Sequence, residues 1–161
     1  MHSDIEALLH QAEEDYLKPA DIVSFRQAVN SLAERLTTYE ELRDKEINIF
    51  QPVADLLTSA FPTEERIVLE KVVKRWLLIM RYAAMAMLLN NHEFLARRLL
   101  EWLSAMVQAN PKIEIELKLY QLLTNRLTEL FSQEAYSLIE PFLDQAKTTL
   151  ICDSNTPEIN V

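Results

Sequence analysis

The groups in this chain best placed for specific chemistry are four cations set in an apolar run: Lys71, Lys74, Arg75 and Arg81 within KVVKRWLLIMRYAAMAMLLNN. On a helix, Lys71, Lys74 and Arg81 share one side with Arg75 beside them, and Val72, Val73, Trp76, Ile79, Met80 and Ala83 cover most of the rest. Such cations can hold the carboxylates of a ligand or a partner; the plainer alternative is a solvated edge on a core helix. The histidines His2, His10 and His92 are scattered, with neither His-x-x-x-His nor Glu-x-x-His spacing, so no bundle-type metal centre is expected. The acidic clusters Glu13, Glu14, Asp15 and Glu40, Glu41 read as solvated helix faces. Cys152 lies in a polar tail without a neighbouring His or Lys and reads as a bystander rather than a nucleophile. No nucleophile, general acid and orienting group converge, so the chain is not expected to be an enzyme.

Positioning these groups is the work of helices. A first amphipathic helix spans about Ser3–Asp15, with Ile5, Leu8, Leu9 and Ala12 on one face, and is too short to be stable alone. Pro19 suits a first helical position, opening a helix through Ile22, Phe25, Ala28, Val29, Leu32 and Leu36. Thr38 and Glu41 have capping-box spacing, marking either a fresh start or a bend before Ile47, Phe50, Val53, Leu56 and Leu57. Pro52 should kink that segment. After a turn at Phe61–Glu64 comes the central helix, closed by Asn90, Asn91 and His92, Asn being the best non-glycine residue for a left-handed cap. A helix over Glu93–Gln108 carries Phe94, Leu95, Leu99, Trp102, Leu103 and Met106, with Trp76 and Trp102 both expected in the core. Asn110 and Pro111 turn the chain into a helix using Ile113, Leu117, Tyr120, Leu123, Leu127 and Leu130. Ser132 starts a last helix that Pro141 should bend before Leu150. One domain over residues 1–151 and an aperiodic tail over 152–161 follow.

Composition narrows the function. The 161 residues include no glycine, where average usage of about 7% would supply roughly eleven, so phosphate loops and dinucleotide-binding turns are excluded at motif level. A net charge of -9 argues against general nucleic-acid binding, which needs cations over a whole face. The lone cysteine and the absence of a basic, apolar leader in MHSDIEALLH point to the cytoplasm. The run Trp76–Leu89 is interrupted by Arg81 and flanked by charges, so membrane insertion is not expected.

Two stretches carry a resemblance. AEEDYLKPADI at Ala12–Ile22 leads without a gap to LAERL at Leu32–Leu36, and VVKRWLLIMRYAAMAMLLNN spans Val72–Asn91, with RYAAMAML its sharpest piece. Together with Pro111, these resemble the phycobilisome protein (phycobiliprotein) family, whose globin-like helical subunits carry linear tetrapyrroles in light-harvesting antennae. The resemblance implies an all-α, globin-like phycobiliprotein fold with an N-terminal helical hairpin. His92 then opens the helix that in globins carries the haem ligand, a place more typical of a capping or solvent-facing histidine.

The departures from the family pattern concern the pigment. The attachment cysteine aligns with Val72, which has no nucleophile, so covalent bilin is not expected there. The family's propionate-binding Arg aligns with Lys74. The Asp that accepts the pyrrole N–H groups aligns with Arg75, which cannot accept them. The glycine-rich loop that walls the pigment is replaced by Thr58–Glu65. Val72, Lys74 and Arg75 thus mark a former chromophore site, and Cys152 reads as no replacement anchor.

What the resemblance leaves is an assembly surface. In the family the N-terminal hairpin packs on a partner subunit, and an acidic residue of the hairpin pairs with an Arg of the partner's central helix. Arg81 aligns with that Arg and Gln11 with the acid, though Glu13, Glu14 and Asp15 lie within a turn of it. The expected interface therefore comprises Ile5, Leu8, Leu9, Glu13, Glu14, Asp15 and Arg81; the alternative is a first helix folded back on its own body, with Arg81 solvated. The partner would be a second copy or a related subunit, within the phycobilisome at the cytoplasmic face of thylakoids. Two functions stay open: a pigment-free interaction protein in assembly, regulation or turnover of the antenna, or a module holding an apolar ligand or a bilin non-covalently in a cavity lined by Val72, Val73 and Trp76.

Overall fold

The computed structural model describes residues 3–109 and 112–152. Within them the chain is helical: α1 (Ser3–Glu14), α2 (Pro19–Asp44), α3 (Glu46–Ala60), α4 (Arg66–Leu89), α5 (His92–Leu95), a π turn (Ala96–Leu100), α6 (Glu101–Ala109), α7 (Ile113–Leu130), α8 (Gln133–Lys147) and a second π turn (Thr148–Cys152). No strand occurs among the described residues. The turn at Asn110 and Pro111, His2, the side chain of Cys152 and the tail beyond it lie outside the described residues.

Local chemistry explains most boundaries. Pro19 opens α2, and the Asp21 carboxylate accepts from the Lys18 backbone N–H at 3.2 Å. Asn90 takes the left-handed conformation at φ 49°, while the N–H groups of Asn90 and Asn91 donate to Met87 and Ala86 carbonyls at 3.0 and 2.9 Å. This is a Schellman closure with Asn where glycine is usual. The Asn91 side chain then caps the next turn, accepting from Phe94 N–H, and Ser132 caps α8 by accepting from Ala135 N–H. Both α3 and α8 continue through their prolines. In α3 the carbonyl four residues before Pro52, that of Asn48, is taken by Arg126 of α7 at 3.0 Å, which replaces the lost intrahelical donor.

Two helix boundaries and one buried face differ from expectation. α2 neither restarts nor ends near Thr38: that residue is buried and its hydroxyl donates to the Glu34 carbonyl at 3.1 Å, so its side chain satisfies itself along the helix instead of capping a new one. The helix after His92 is interrupted by the π turn, which inserts a residue and rotates the inward face; Leu95, Leu99, Leu100, Leu103 and Val107 are buried. Trp102 is consequently 59% exposed rather than core. On α7 the inward residues are Ile115, Glu116, Leu119, Tyr120, Leu123 and Leu127, while Leu117 faces out.

α4 is the axis of the body, packing against α2, α3, α7 and α8, and α3 also packs against α7. Trp76, Ile79, Ala83 and Ala86 on α4 are completely buried, meeting Ile49 and Leu57 of α3, Leu119, Leu123 and Leu127 of α7 and Leu143 of α8 in a single core. α1 stands apart from this core, packing on the outer half of α2 to form the hairpin.

Candidate functional site

The cation stripe of α4 is divided in two by the tertiary structure. Lys71, Lys74 and Arg81 are exposed, but Arg75 turns inward and pairs with the Glu116 carboxylate of α7. The same carboxylate accepts from Trp76 Nε1 at 2.6 Å, and Glu116 is only 1% exposed. Burial pushes the Glu116 carboxyl above its usual range, while Arg75 and the Trp76 N–H pull it back in part. The Trp76 ring lies 5.6 Å from that of Tyr120, whose hydroxyl donates to Asp144; burial and this carboxylate both push the Tyr120 hydroxyl pKa up. Arg75 is thus occupied by a partner of its own chain.

Of the other two residues that the resemblance implies for a former chromophore site, Val72 is buried in the core and Lys74 borders solvent. Val72 and Trp76 are therefore core residues rather than the lining of an open cavity, which corrects that expectation. Val73 and Lys74 do line one: a groove of about 450 Å³ between α3 and α4, with Ala54 and Leu69 on its floor and Asp55, Arg66 and Glu70 on its rim.

Arg81 makes a two-point contact with Glu46 of the same chain, from Nε to Oε2 at 2.8 Å and Nη2 to Oε1 at 2.6 Å. Glu46 opens α3, directly after the α2–α3 break at Lys45. The pair borders a cavity of about 300 Å³ floored by Tyr39, Leu42, Met80 and Ala84, with Arg43 beside it. The guanidinium holds the Glu46 carboxyl below the usual carboxylate range. A carboxyl with a lowered folded pKa stabilises the fold above its unfolded pKa and loses that contribution as pH falls through the folded value. Glu46→Gln should therefore flatten the acid limb of a stability–pH curve slightly, by less than about 1 kcal/mol, since Arg81 is 58% exposed. Denaturant titrations of both proteins across the acidic range measure it, and an unchanged limb would show that the pair is broken in solution.

The hairpin residues fall differently. Ile5 and Leu8 are half-buried and Leu9 is exposed, as are Glu13, Glu14 and Asp15 at the hairpin tip, where Tyr16 is 96% exposed. Gln11 donates to Asp21 across the hairpin at 3.2 Å, which ties α1 to the start of α2. Along α2 the whole apolar series Ile22, Phe25, Val29, Leu32 and Leu36 is exposed. Where α2 reaches the body, Arg35 is buried and donates to the Leu88 carbonyl at 2.8 Å and the Met87 carbonyl at 3.4 Å, so that a cation neutralises the negative end of α4. His92 stacks on Phe142 at 4.1 Å, and its Nδ1 lies 2.8 Å from the Gln145 amide oxygen, a contact between α5 and α8.

Sequence reading passed over Glu116, Glu46 and Arg35. For Glu116 a signal existed, since it follows Ile113 by three residues and precedes Tyr120 by four, the spacing of the inward face. For Glu46 and Arg35 the partners lie 35 and 53 residues away, and no local pattern reveals them.

A family model described as phycobilisome protein matches residues 9–150, from the first helix to the end of the last. The chain belongs to the phycobilisome protein family. No curated protein matches it. Its helices are accordingly those of the all-α, globin-like phycobiliprotein fold, with α1 and the outer half of α2 as the N-terminal hairpin. Among the described residues no helix is long and apolar enough to cross a membrane.

Proposed function

We propose that this phycobilisome-family protein is a non-pigmented interaction subunit, without enzymatic activity, that pairs with itself or with a related subunit and acts in assembly, regulation or turnover of the light-harvesting antenna. The observation that carries the reading is the hairpin: an apolar surface held out from the core by α2 and left uncovered. Apolar patches of this kind mark interaction sites. Docking against the polar side of α4 in another chain would cover it, with Glu13, Glu14 and Asp15 approaching Arg81. Affinity purification from the native cell, followed by mass spectrometry of proteins and pigments, should recover phycobilisome subunits; recovery of a tetrapyrrole without any such subunit would favour the ligand-binding alternative, for which the groove beside Lys74 is the available place.

The site argues against pigment in two ways. Val72 offers no nucleophile and is buried, and Arg75 presents donors, already engaged by Glu116, where pyrrole nitrogens need an acceptor. Coexpression with bilin-synthesis enzymes and a broad set of lyases should leave the denatured band colourless and without zinc-induced fluorescence. Added bilin should bind weakly and without the sharp red band of an extended, rigid chromophore. An adduct at Cys152, or a tight red-shifted complex, would overturn this.

A further inference from the structure

The π turn ahead of α6 is set in a sequence that is apolar in two registers at once. Apolar doublets run through the turn and into α6 at helical spacing: Leu99 with Leu100, Trp102 with Leu103, Met106 with Val107. On an unbroken helix, at about 100° per residue, Leu95, Leu99, Trp102 and Met106 fall on one face. In the structure the Glu101 N–H donates five residues back, to the Ala96 carbonyl, so the turn holds one residue more than an α turn. The second member of each doublet then takes the inward place. Leu100, Leu103 and Val107 are buried with Leu95, and Trp102 is 59% exposed. An ordinary amphipathic helix sets polar residues beside much of its inward stripe; here each inward place after Leu95 has a second apolar candidate one residue earlier.

We infer that α6 is a two-register switch. Absorbing the extra residue of the π turn into a regular helix would turn α6 by about 100° and move it about 1.5 Å along its axis. Trp102 would then enter the place of Leu103, while Leu100 and Val107 would move outward. Register shifts of this size are a known form of two-state change, in which two packings of one sequence lie close in energy.

The apolar areas exchanged are similar, which keeps the two registers in competition. One buries the ring of Trp102, a side chain of about 150–250 Å², together with Met106; the other buries Leu100, Leu103 and Val107, and apolar stabilisation follows area. Beyond the first π turn, α6 packs on the second, where Leu150 and Ile151 are both buried, an adjacent apolar pair that can serve either face of α6. Tryptophan is among the side chains most enriched at the centres of binding surfaces. The slip therefore offers or withdraws a contact residue of α6 while α4 and the hairpin stay in place.

The full-length chain labelled with fluorotryptophan tests the switch. Trp102→Phe assigns the signals and leaves Trp76, completely buried, as the internal reference. Fluorine relaxation dispersion should show Trp102 exchanging on the microsecond-to-millisecond scale of helix register shifts. Deletion of Arg97 supplies an ordinary α turn while keeping Leu100, Leu103 and Val107 inward, so it should abolish the exchange and leave Trp102 accessible to acrylamide. Leu100→Gln should do the opposite, because that position is buried only in the π register and an unsatisfied buried amide is costly. The slip carries the glutamine outward, with a blue-shifted Trp102 emission and loss of most of its acrylamide quenching. A folded Leu100→Gln protein whose Trp102 stays as accessible as in the wild type, or a wild-type Trp102 signal without exchange, would overturn the proposal. If Leu100→Gln does not fold, the wild-type dispersion and its loss on deleting Arg97 decide alone.

Discussion

Glu116→Ala should destabilise the protein by about 3–5 kcal/mol, the usual cost of breaking a buried ion pair from one side. For a chain of this size that lowers Tm by roughly 10 °C, at about 2–4 °C per kcal/mol. The substitution leaves the Arg75 guanidinium and the Trp76 N–H without their shared acceptor beneath the core, and an unsatisfied buried donor bears its full desolvation cost. Replacing both charged residues, with Arg75→Leu and Glu116→Leu, should recover much of the loss, because two apolar side chains leave no orphan. pH adds an independent check. Since burial raises the Glu116 carboxyl in the folded state, folded protein holds that proton to higher pH than unfolded protein does. Its contribution therefore falls as pH rises from the ordinary carboxylate range through the raised value, and Glu116→Gln should flatten that decline. Denaturant melts of the four proteins at mildly acidic and neutral pH decide it; a Glu116→Ala loss below about 1 kcal/mol, the size of an exposed pair, would mean that the Arg75 contact does not persist in solution.

Deleting the residues before Tyr16 should dissociate the assembly while leaving the remaining helices folded. Fully burying an exposed side chain of this size contributes about 1.5–3 kcal/mol; Leu9 and the still-open parts of the half-buried Ile5 and Leu8 would add a fraction of that each, together still more than the roughly 0–1 kcal/mol of a rim ion pair between Arg81 and the tip acids. The core begins where α2 meets the body, at Arg35, Thr38 and Leu42, so loss of α1 removes little buried surface from it. Arg81→Glu should act more weakly and in a salt-dependent way, and it also sets two carboxylates against each other at Glu46. Sedimentation and far-ultraviolet circular dichroism of the truncated chain measure both effects. Unchanged association after truncation would place the interface elsewhere.

How far the sequence reveals this molecule varies with the range of the interaction concerned. Pro19, Asn90, Asn91 and Ser132 act on backbone groups within a few residues of themselves, and the helix ends they mark stand where they were read. Thr38 carried the same local signal and did not act on it, since its side chain was needed inside a buried stretch of α2. Trp102 has the spacing of a core residue on an unbroken helix, and the π turn ahead of it rotates it into solvent. Of the cations, Arg75 and Arg81 looked alike in sequence; one is committed to a buried carboxylate on α7 and the other to a half-buried one on α3.

By itself, the sequence determined that the chain is all-helical, where most helices begin and end, and that Val72 cannot anchor a pigment, because each depends on the covalent chemistry of a residue and its near neighbours. Only the tertiary structure decided that Arg75 is neutralised from within, that Arg81 already holds Glu46, and that the apolar series of α2 faces outward. Those outcomes depend on which helices pack together and in what rotation, a balance of burial over partners tens of residues apart that local spacing does not encode.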